Sequence, residues 1–142
     1  MTILDAYALV ALLADEPAAQ EVDVLLRSVR TAVSSVNLAE AVDIACRVHR
    51  VPEEEVREAV APLLHDLVDV VAPAEADAWR AAQLRVKHYD RRRSPLSLAD
   101  CFLLATATTV DRIATADQPV ATAARSEGIA IMALPDTGGR RP

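Results

Sequence analysis

Apolar and polar positions divide the chain into short apolar runs that alternate with amphipathic stretches. Thr2–Leu4 is a short apolar run that reads as a strand, and residues 7–13 continue it as a first helix. Pro17 suits the first turn of a second helix, in which Val22, Leu25, Leu26 and Val29 recur at i, i+3, i+4 and i+7. Thr31–Ser34 is a second strand. Asn37 is expected to open a third helix with Leu38, Val42 and Ala45 on one face, and Val51-Pro52 ends it. Residues 53–67 are helical in pattern, but Pro62 falls inside them and should kink or divide that helix. A third strand is expected over 68–72 and a fifth helix over 74–89, with Trp79 and Val86 facing inward. Residues 90–95 form a basic loop. An almost wholly apolar helix follows over 97–110, then a strand at Arg112–Thr115, a helix over 117–127 with Gly128 as its C′ residue, and a last strand over 129–134.

Strands that alternate with helices imply an α/β fold, with a mainly parallel sheet of about five strands covered by helices on both faces. Ligands of such sheets bind beyond the carboxyl ends of the strands. One domain is expected over residues 1–135, followed by a flexible tail over 136–142 that contains Gly138-Gly139.

Composition adds three constraints. At 142 residues the chain is long enough to bury a core without disulfides, and with 52% hydrophobic residues but only 3% aromatics that core must be aliphatic. Cys46 and Cys101 lie in apolar stretches with no metal-ligand spacing and read as small core residues of a reducing compartment. No apolar run reaches the roughly 20 residues of a membrane span, and Asp5 interrupts the first one, so a soluble, cytoplasmic protein without membrane contact is expected. The net charge of −6 argues against a general nucleic-acid coat protein. Yet residues 80–93 hold six cations (Arg80, Arg85, Lys87, Arg91, Arg92, Arg93) against the single acid Asp90. The molecule is therefore electrically polarised, and these six are candidate nucleic-acid phosphate contacts as well as an ordinary solvated face.

The acids carry the chemistry. Asp5 is the lone charge of residues 1–14, Asp100 of 94–110 and Asp117 of 113–124. An isolated acid in a segment destined for burial costs several kcal/mol unless it is paired, hydrogen-bonded or bound to a metal. Asp5 closes the first strand, Asp117 follows the fourth, and Glu40 and Asp100 each sit about one turn into a helix, so all four belong at the same end of a parallel sheet. Their mutual repulsion there, ~4 kcal/mol per close pair at a dielectric near 20, is resolved by divalent cations. Oxygen ligands with no Cys or His beside them select Mg²⁺, with Mn²⁺ as a substitute, over zinc. Each acid also has a capping role open to it: Asp5 and Asp117 as N-caps, Asn37-x-x-Glu40 and Ser97-x-x-Asp100 as capping boxes. His49, His65 and His88 are too scattered to form a ligand set.

Four blocks in order, Thr2-Ile-Leu-Asp5-Ala-Tyr-Ala-Leu, Ser35-Val-Asn-Leu-Ala-Glu40, Leu96-Ser-Leu-Ala-Asp100-Cys-Phe-Leu-Leu-Ala105 and Ala114-Thr-Ala-Asp117, resemble the PIN-domain proteins, specifically the VapC toxins of type II toxin-antitoxin pairs. The resemblance spans essentially the whole chain. It implies a three-layer α/β/α fold and a Mg²⁺-dependent endoribonuclease with Asp5, Glu40, Asp100 and Asp117 as catalytic metal ligands. It also implies RNA as substrate, an inhibitory antitoxin partner and homodimerisation. Thr115 matches the family's hydroxyl position, where it could hold a carboxylate or phosphate or serve only strand propensity. Position 7 departs from the pattern, being Tyr where many relatives carry Ser or Thr. Competing readings are a catalytically degenerate binding protein of the same fold, a metal-dependent DNA nuclease, and a phosphoryl-transfer enzyme with an aspartyl nucleophile. The last expects a second carboxylate where Tyr7 stands and a lysine near a late motif, whereas the only lysine is Lys87.

Overall fold

A computed structural model of the chain describes residues 1–64 and 66–142; His65 lies outside the described residues. Five strands form one parallel sheet: β1 (Thr2–Leu4), β2 (Thr31–Ser34), β3 (Val68–Val71), β4 (Arg112–Thr115) and β5 (Ala130–Ala133), in the order β3-β2-β1-β4-β5. Seven helices connect them among the described residues: α1 (Ala6–Leu13), α2 (Ala19–Ser28), α3 (Ser35–Arg47), α4 (Glu53–Val60), α5 (Glu75–His88), α6 (Leu98–Thr106) and α7 (Gln118–Ser126). No helix is long and apolar enough to cross a membrane among the described residues.

The central strands are apolar at successive positions because both faces of the sheet are covered. Neighbouring strand residues point to opposite sides. Ile3, Ala32 and Ile113 accordingly pack with Ala81 and Leu84 of α5, Leu103 and Leu104 of α6 and Val120 of α7. Leu4, Val33 and Ala114 pack with Leu9 of α1, Val22 and Leu25 of α2 and Ala41 of α3. The result is the expected three-layer α/β/α arrangement. A smaller cluster of Ala45, Val56 and Val60 fastens α4 to α3. Cys101 is buried and Cys46 half-buried, both as free thiols.

The strand order sets where a ligand can sit. The chain runs outward from β1 through β2 to β3, then crosses back to place β4 on the other side of β1. The reversal opens a crevice at the carboxyl ends of β1 and β4, and Asp5 and Asp117 are the acids that follow those two strands.

Several elements differ from their sequence-based expectation. α3 begins at Ser35 and is capped by the Ser34 hydroxyl, which accepts from the Asn37 backbone N–H at 3.1 Å, so Asn37 is a buried first-turn residue and not the opener. α4 stops at Val60, ahead of Pro62, which lacks the N–H and whose ring would collide with the preceding turn. α6 ends at Thr106, short of Val110, because the Asp111 carboxylate binds the Thr108 N–H and hydroxyl and the terminal amine of Met1, folding residues 107–111 into a turn before β4. Val29 lies past the end of α2 with 42% of its surface exposed, while Val22, Leu25 and Leu26 of the same stripe are buried. Trp79 and Val86 do not face the core: they are 67% and 89% exposed, and α5 buries Ala81 and Leu84 instead. Gly128 takes its expected place after α7 with φ +74, a conformation that side chains disfavour. Beyond β5, the Tyr7 hydroxyl donates to the Pro135 carbonyl at 3.0 Å, and Arg141 pairs with Glu21.

Candidate metal centre

Asp5 is placed by the sheet. Pairing of Leu4 with Ala114 puts the residue after β1 beside the end of β4, and the Asp5 backbone N–H continues the ladder to the Ala114 carbonyl at 3.1 Å. Asp5 is the N-cap residue of α1 by position, yet its side chain makes no capping hydrogen bond. Its Oδ2 accepts instead from the Thr115 hydroxyl at 2.5 Å, and the Thr115 oxygen in turn accepts from the Asp117 N–H at 2.9 Å. Thr115 is fully buried and so fixes both the carboxylate after β1 and the backbone after β4.

Glu40 and Asp100 arrive on helices. The Ser34 cap starts α3 at the end of β2, and Glu40 follows six residues later, half-buried. α6 opens with a full capping box: the Ser97 hydroxyl accepts from the Asp100 N–H at 3.0 Å and the Asp100 Oδ2 accepts from the Ser97 N–H at 2.6 Å. The two helices are tied by Asn37, whose Nδ2 donates to the Ala99 carbonyl at 3.2 Å while its Oδ1 accepts from the Ser34 hydroxyl at 2.5 Å. Asn37 thus sets the spacing between Glu40 and Asp100. The Ser34-x-x-Asn37 spacing was its sequence signal, although it points only to a helix start.

One carboxylate oxygen each from Asp5, Glu40 and Asp100 lies within 4.8 Å of the others. Asp117 stands at the rim, open to water on one side, and its Oδ1 caps α7 by accepting from the Val120 N–H at 2.8 Å. Its capping role is therefore direct, while its charge still acts on Asp5 and Glu40. No ion pair among the described residues involves any of these four acids.

The electrostatic consequence is a cluster that resists its own charge. Burial pushes the Asp5 carboxyl up to about 7; the Thr115 hydroxyl pulls against that, and Asp100, Asp117 and Glu40 add to it. Glu40 is raised by burial and then by Asp100, with the Asn37 amide opposing. Asp117 is raised by partial burial and by Asp100, against the Val120 N–H. Hard anionic oxygens from three elements, with no protein cation among them, are the donor set that suits a divalent ion such as Mg²⁺ or Mn²⁺.

The basic segment splits in two. The Arg80 guanidinium donates to the Ala105 carbonyl, Arg85 donates to the Leu96 carbonyl and lies 4.4 Å from the centre of the Tyr89 ring, and Lys87 pairs with Glu127 at 2.8 Å. His88 joins the same Glu127 at 2.5 Å, and the hydrogen bonds with Lys87 and then His88 hold that carboxyl below its usual range. Arg91, Arg92 and Arg93 are exposed in the turn after α5, where the Asp90 carboxylate accepts the backbone N–H of Arg92 and Arg93.

Residues 2–129 match the family model of the PIN domain. Among curated proteins, no sequence matches the chain. Among solved structures, the Mycobacterium tuberculosis VapC20, a sarcin-ricin loop cleaving toxin, is similar with TM-score 0.69 at 20% identity, over 87% of this chain and 95% of that one. VapBC2 from Rickettsia felis, bound to a DNA fragment from its promoter, is similar with TM-score 0.65 at 12% identity, over 92% and 96% of the two chains. FitAcB from Neisseria gonorrhoeae matches with TM-score 0.63 at 21% identity, over 93% and 96%. At these identities the shared property is the fold. The family model, however, covers nine-tenths of the sequence and includes all four acids, so the chain belongs to the PIN-domain family.

Proposed function

We propose that this chain is a Mg²⁺-dependent endoribonuclease, the toxin of a toxin-antitoxin pair, in which Asp5, Glu40 and Asp100 hold the metal and Asp117 completes the acidic rim. The observation that carries the reading is the convergence of three carboxylate oxygens within 4.8 Å, with no protein cation paired to them among the described residues. A divalent ion bound there supplies the charge that activates a water for in-line attack on a phosphodiester and offsets charge on the leaving oxygen. The protein's own groups do the placing. Thr115 holds the Asp5 carboxylate toward the crevice, Asn37 keeps α3 and α6 at a fixed separation, and the Ser97 N–H orients Asp100. No side chain is needed as a nucleophile.

The substrate, in this reading, is RNA, guided by the exposed Arg91, Arg92 and Arg93. Arg80, Arg85 and Lys87 contribute to the local field while their head groups serve internal contacts. An antitoxin chain would inhibit the enzyme, and two copies would associate. Similarity in fold to the toxin VapC20 and to VapBC2 and FitAcB supports this assignment. The test is cleavage of RNA and of DNA with Mg²⁺ by the wild type and by Asp5→Asn and Asp100→Asn. RNA cleavage should fall by about 10²-fold or more in each variant. Undiminished cleavage would remove the site, and cleavage of DNA alone would change the substrate.

A further inference from the structure

Beyond β5 the chain stays at the acidic end of the sheet. β5 pairs with β4 as far as Ala133 beside Thr115, and the Leu134 N–H continues the ladder to the Thr115 carbonyl at 2.9 Å, so the following residues leave the sheet next to Asp117. Side chains of three helices hold them there. The Tyr7 hydroxyl of α1 donates to the Pro135 carbonyl at 3.0 Å, and the Arg125 guanidinium of α7 donates to the Pro142 carbonyl at 3.3 Å. Glu21 of α2 accepts from Arg141 through both carboxylate oxygens, and Arg141 donates also to the Ala133 carbonyl. Between these anchors Asp136 closes a tight turn. Its N–H donates to the Arg140 carbonyl at 2.7 Å, its Oδ1 accepts the N–H groups of Gly138 and Arg140 at 2.8 Å each, and Gly139 takes the φ of +80 that the turn requires.

This strap and the start of α7 flank a cleft of about 510 Å³, lined by Asp117 and Gln118 on the helix side and by Asp136, Arg140 and Pro142 on the other. Its size is that of a small-ligand site, and Asp117 joins it to the rim of the acidic cluster. A phosphate is poorly matched to it: Arg140 is paired with Asp136 and Arg141 with Glu21, which leaves the Asp117 charge in excess. A neutral nucleobase meets no such repulsion. The Arg140 Nε and Nη2 face the Asp136 Oδ2 at 3.1 and 3.0 Å and the guanidinium enters no other hydrogen bond among the described residues. Its five N–H groups lie in one rigid plane, so the edge turned away from Asp136 can donate to two acceptors side by side. Guanine offers that pair in O6 and N7, whereas adenine sets a donor beside its N7. Gln118 adds an acceptor, since its Nε2 donates to the Thr122 hydroxyl at 3.1 Å and its Oε1 is left for a base N–H.

We infer that this cleft is a nucleotide subsite beside the metal centre, in which Asp136 braces Arg140 to read a guanine of single-stranded RNA. The inference rests on the ribonuclease reading above and adds a base contact to it. An unpaired strand is required because the O6 and N7 edge of a guanine in an RNA duplex lies in a deep, narrow groove that side chains do not enter. The Arg140 side chain is 86% exposed, so its ion pair with Asp136 contributes little to stability and the residue can be replaced without unfolding the chain.

Fluorescence anisotropy tests the contact with a short single-stranded RNA, Mg²⁺ being withheld so that the strand is not cut, against the same RNA carrying adenine at every guanine. The wild type should bind the guanine strand about 10-fold more tightly. Arg140→Gln should bind both strands alike, at the weaker affinity and with an unchanged melting temperature. Arg140→Lys keeps the charge without the planar fork and should lose the preference as well. A wild type that binds neither strand or both equally, or an Arg140→Gln chain weakened by the same factor on both as a phosphate contact would be, overturns the assignment. Binding is read apart from catalysis. A guanine preference in a chain that cuts no RNA keeps the subsite and removes the nuclease, while RNA cut at positions that Arg140→Gln leaves unchanged does the reverse.

Discussion

Asp5 is a buried carboxylate held by the Thr115 hydroxyl. Its folded-state pKa of about 7 lies above the ordinary value of 3.8, so the folded chain binds this proton more tightly than the unfolded one does. The stability it contributes is complete below pH 3.8 and is lost as the pH rises toward 7. Glu40 and Asp117 are shifted in the same sense. Metal-free protein should therefore melt at a lower temperature at pH 8 than at pH 5.5, and Mg²⁺ or Mn²⁺ should restore the loss at pH 8. Asp5→Asn removes the buried charge and should raise the metal-free melting temperature at pH 8 by several degrees, corresponding to about 1–2 kcal/mol. Calorimetric melts at the two pH values check this; a metal-free wild type equally stable at both would contradict the electrostatic picture. The isolation of Asp5, Asp100 and Asp117 in apolar segments was legible from the sequence because buried charge is rare. That Asp117 caps a helix at the rim while the other three converge was not, since either role uses the same residue type at the same place in the chain.

Helix starts and their mutual ties decide how well the acids are held. α3 and α6 meet through one buried amide, Asn37, bonded to Ser34 and to the Ala99 carbonyl. Asn37→Ala would strand the Ala99 carbonyl and the Ser34 hydroxyl, costing about 1–3 kcal/mol, and would loosen the Glu40–Asp100 spacing. Both a lower urea midpoint and weaker Mn²⁺ binding are expected; normal metal affinity in the destabilised protein would show that α3 and α6 are aligned by other contacts. The apolar runs located all five strands, because a strand covered on both faces must be apolar throughout, and Pro62 correctly marked where α4 could not continue. Errors arose where tertiary contacts override local pattern. Residues 107–110 continue an apolar helix in sequence, but Asp111 gathers Thr108 and the Met1 amine and turns the chain. Trp79 and Val86 look like core residues by type, yet the turn of α5 directs Ala81 and Leu84 inward and leaves Trp79 and Val86 on the exposed side.

At the scale of the whole molecule, one acidic cluster and one exposed basic turn stand out. The carboxylates converge at the ends of β1 and β4, while Arg91, Arg92 and Arg93 are exposed in the turn between α5 and α6. Replacement of Arg91, Arg92 and Arg93 by Gln should weaken RNA binding and flatten the slope of log affinity against log salt by roughly 0.7 for each phosphate no longer neutralised. An unchanged slope in a fluorescence-anisotropy titration would assign these residues away from RNA. The strand order was not readable from composition or periodicity, since nothing local records that β4 returns to the far side of β1. It is that return which brings acids far apart in the sequence to one place. Isothermal titration of Mn²⁺ into the metal-free wild type and into Asp5→Asn, Glu40→Gln and Asp100→Asn tests the convergence itself. Saturable binding that is abolished or weakened about 10-fold or more in every variant is expected; equal affinity in all four proteins would mean that these carboxylates do not share an ion.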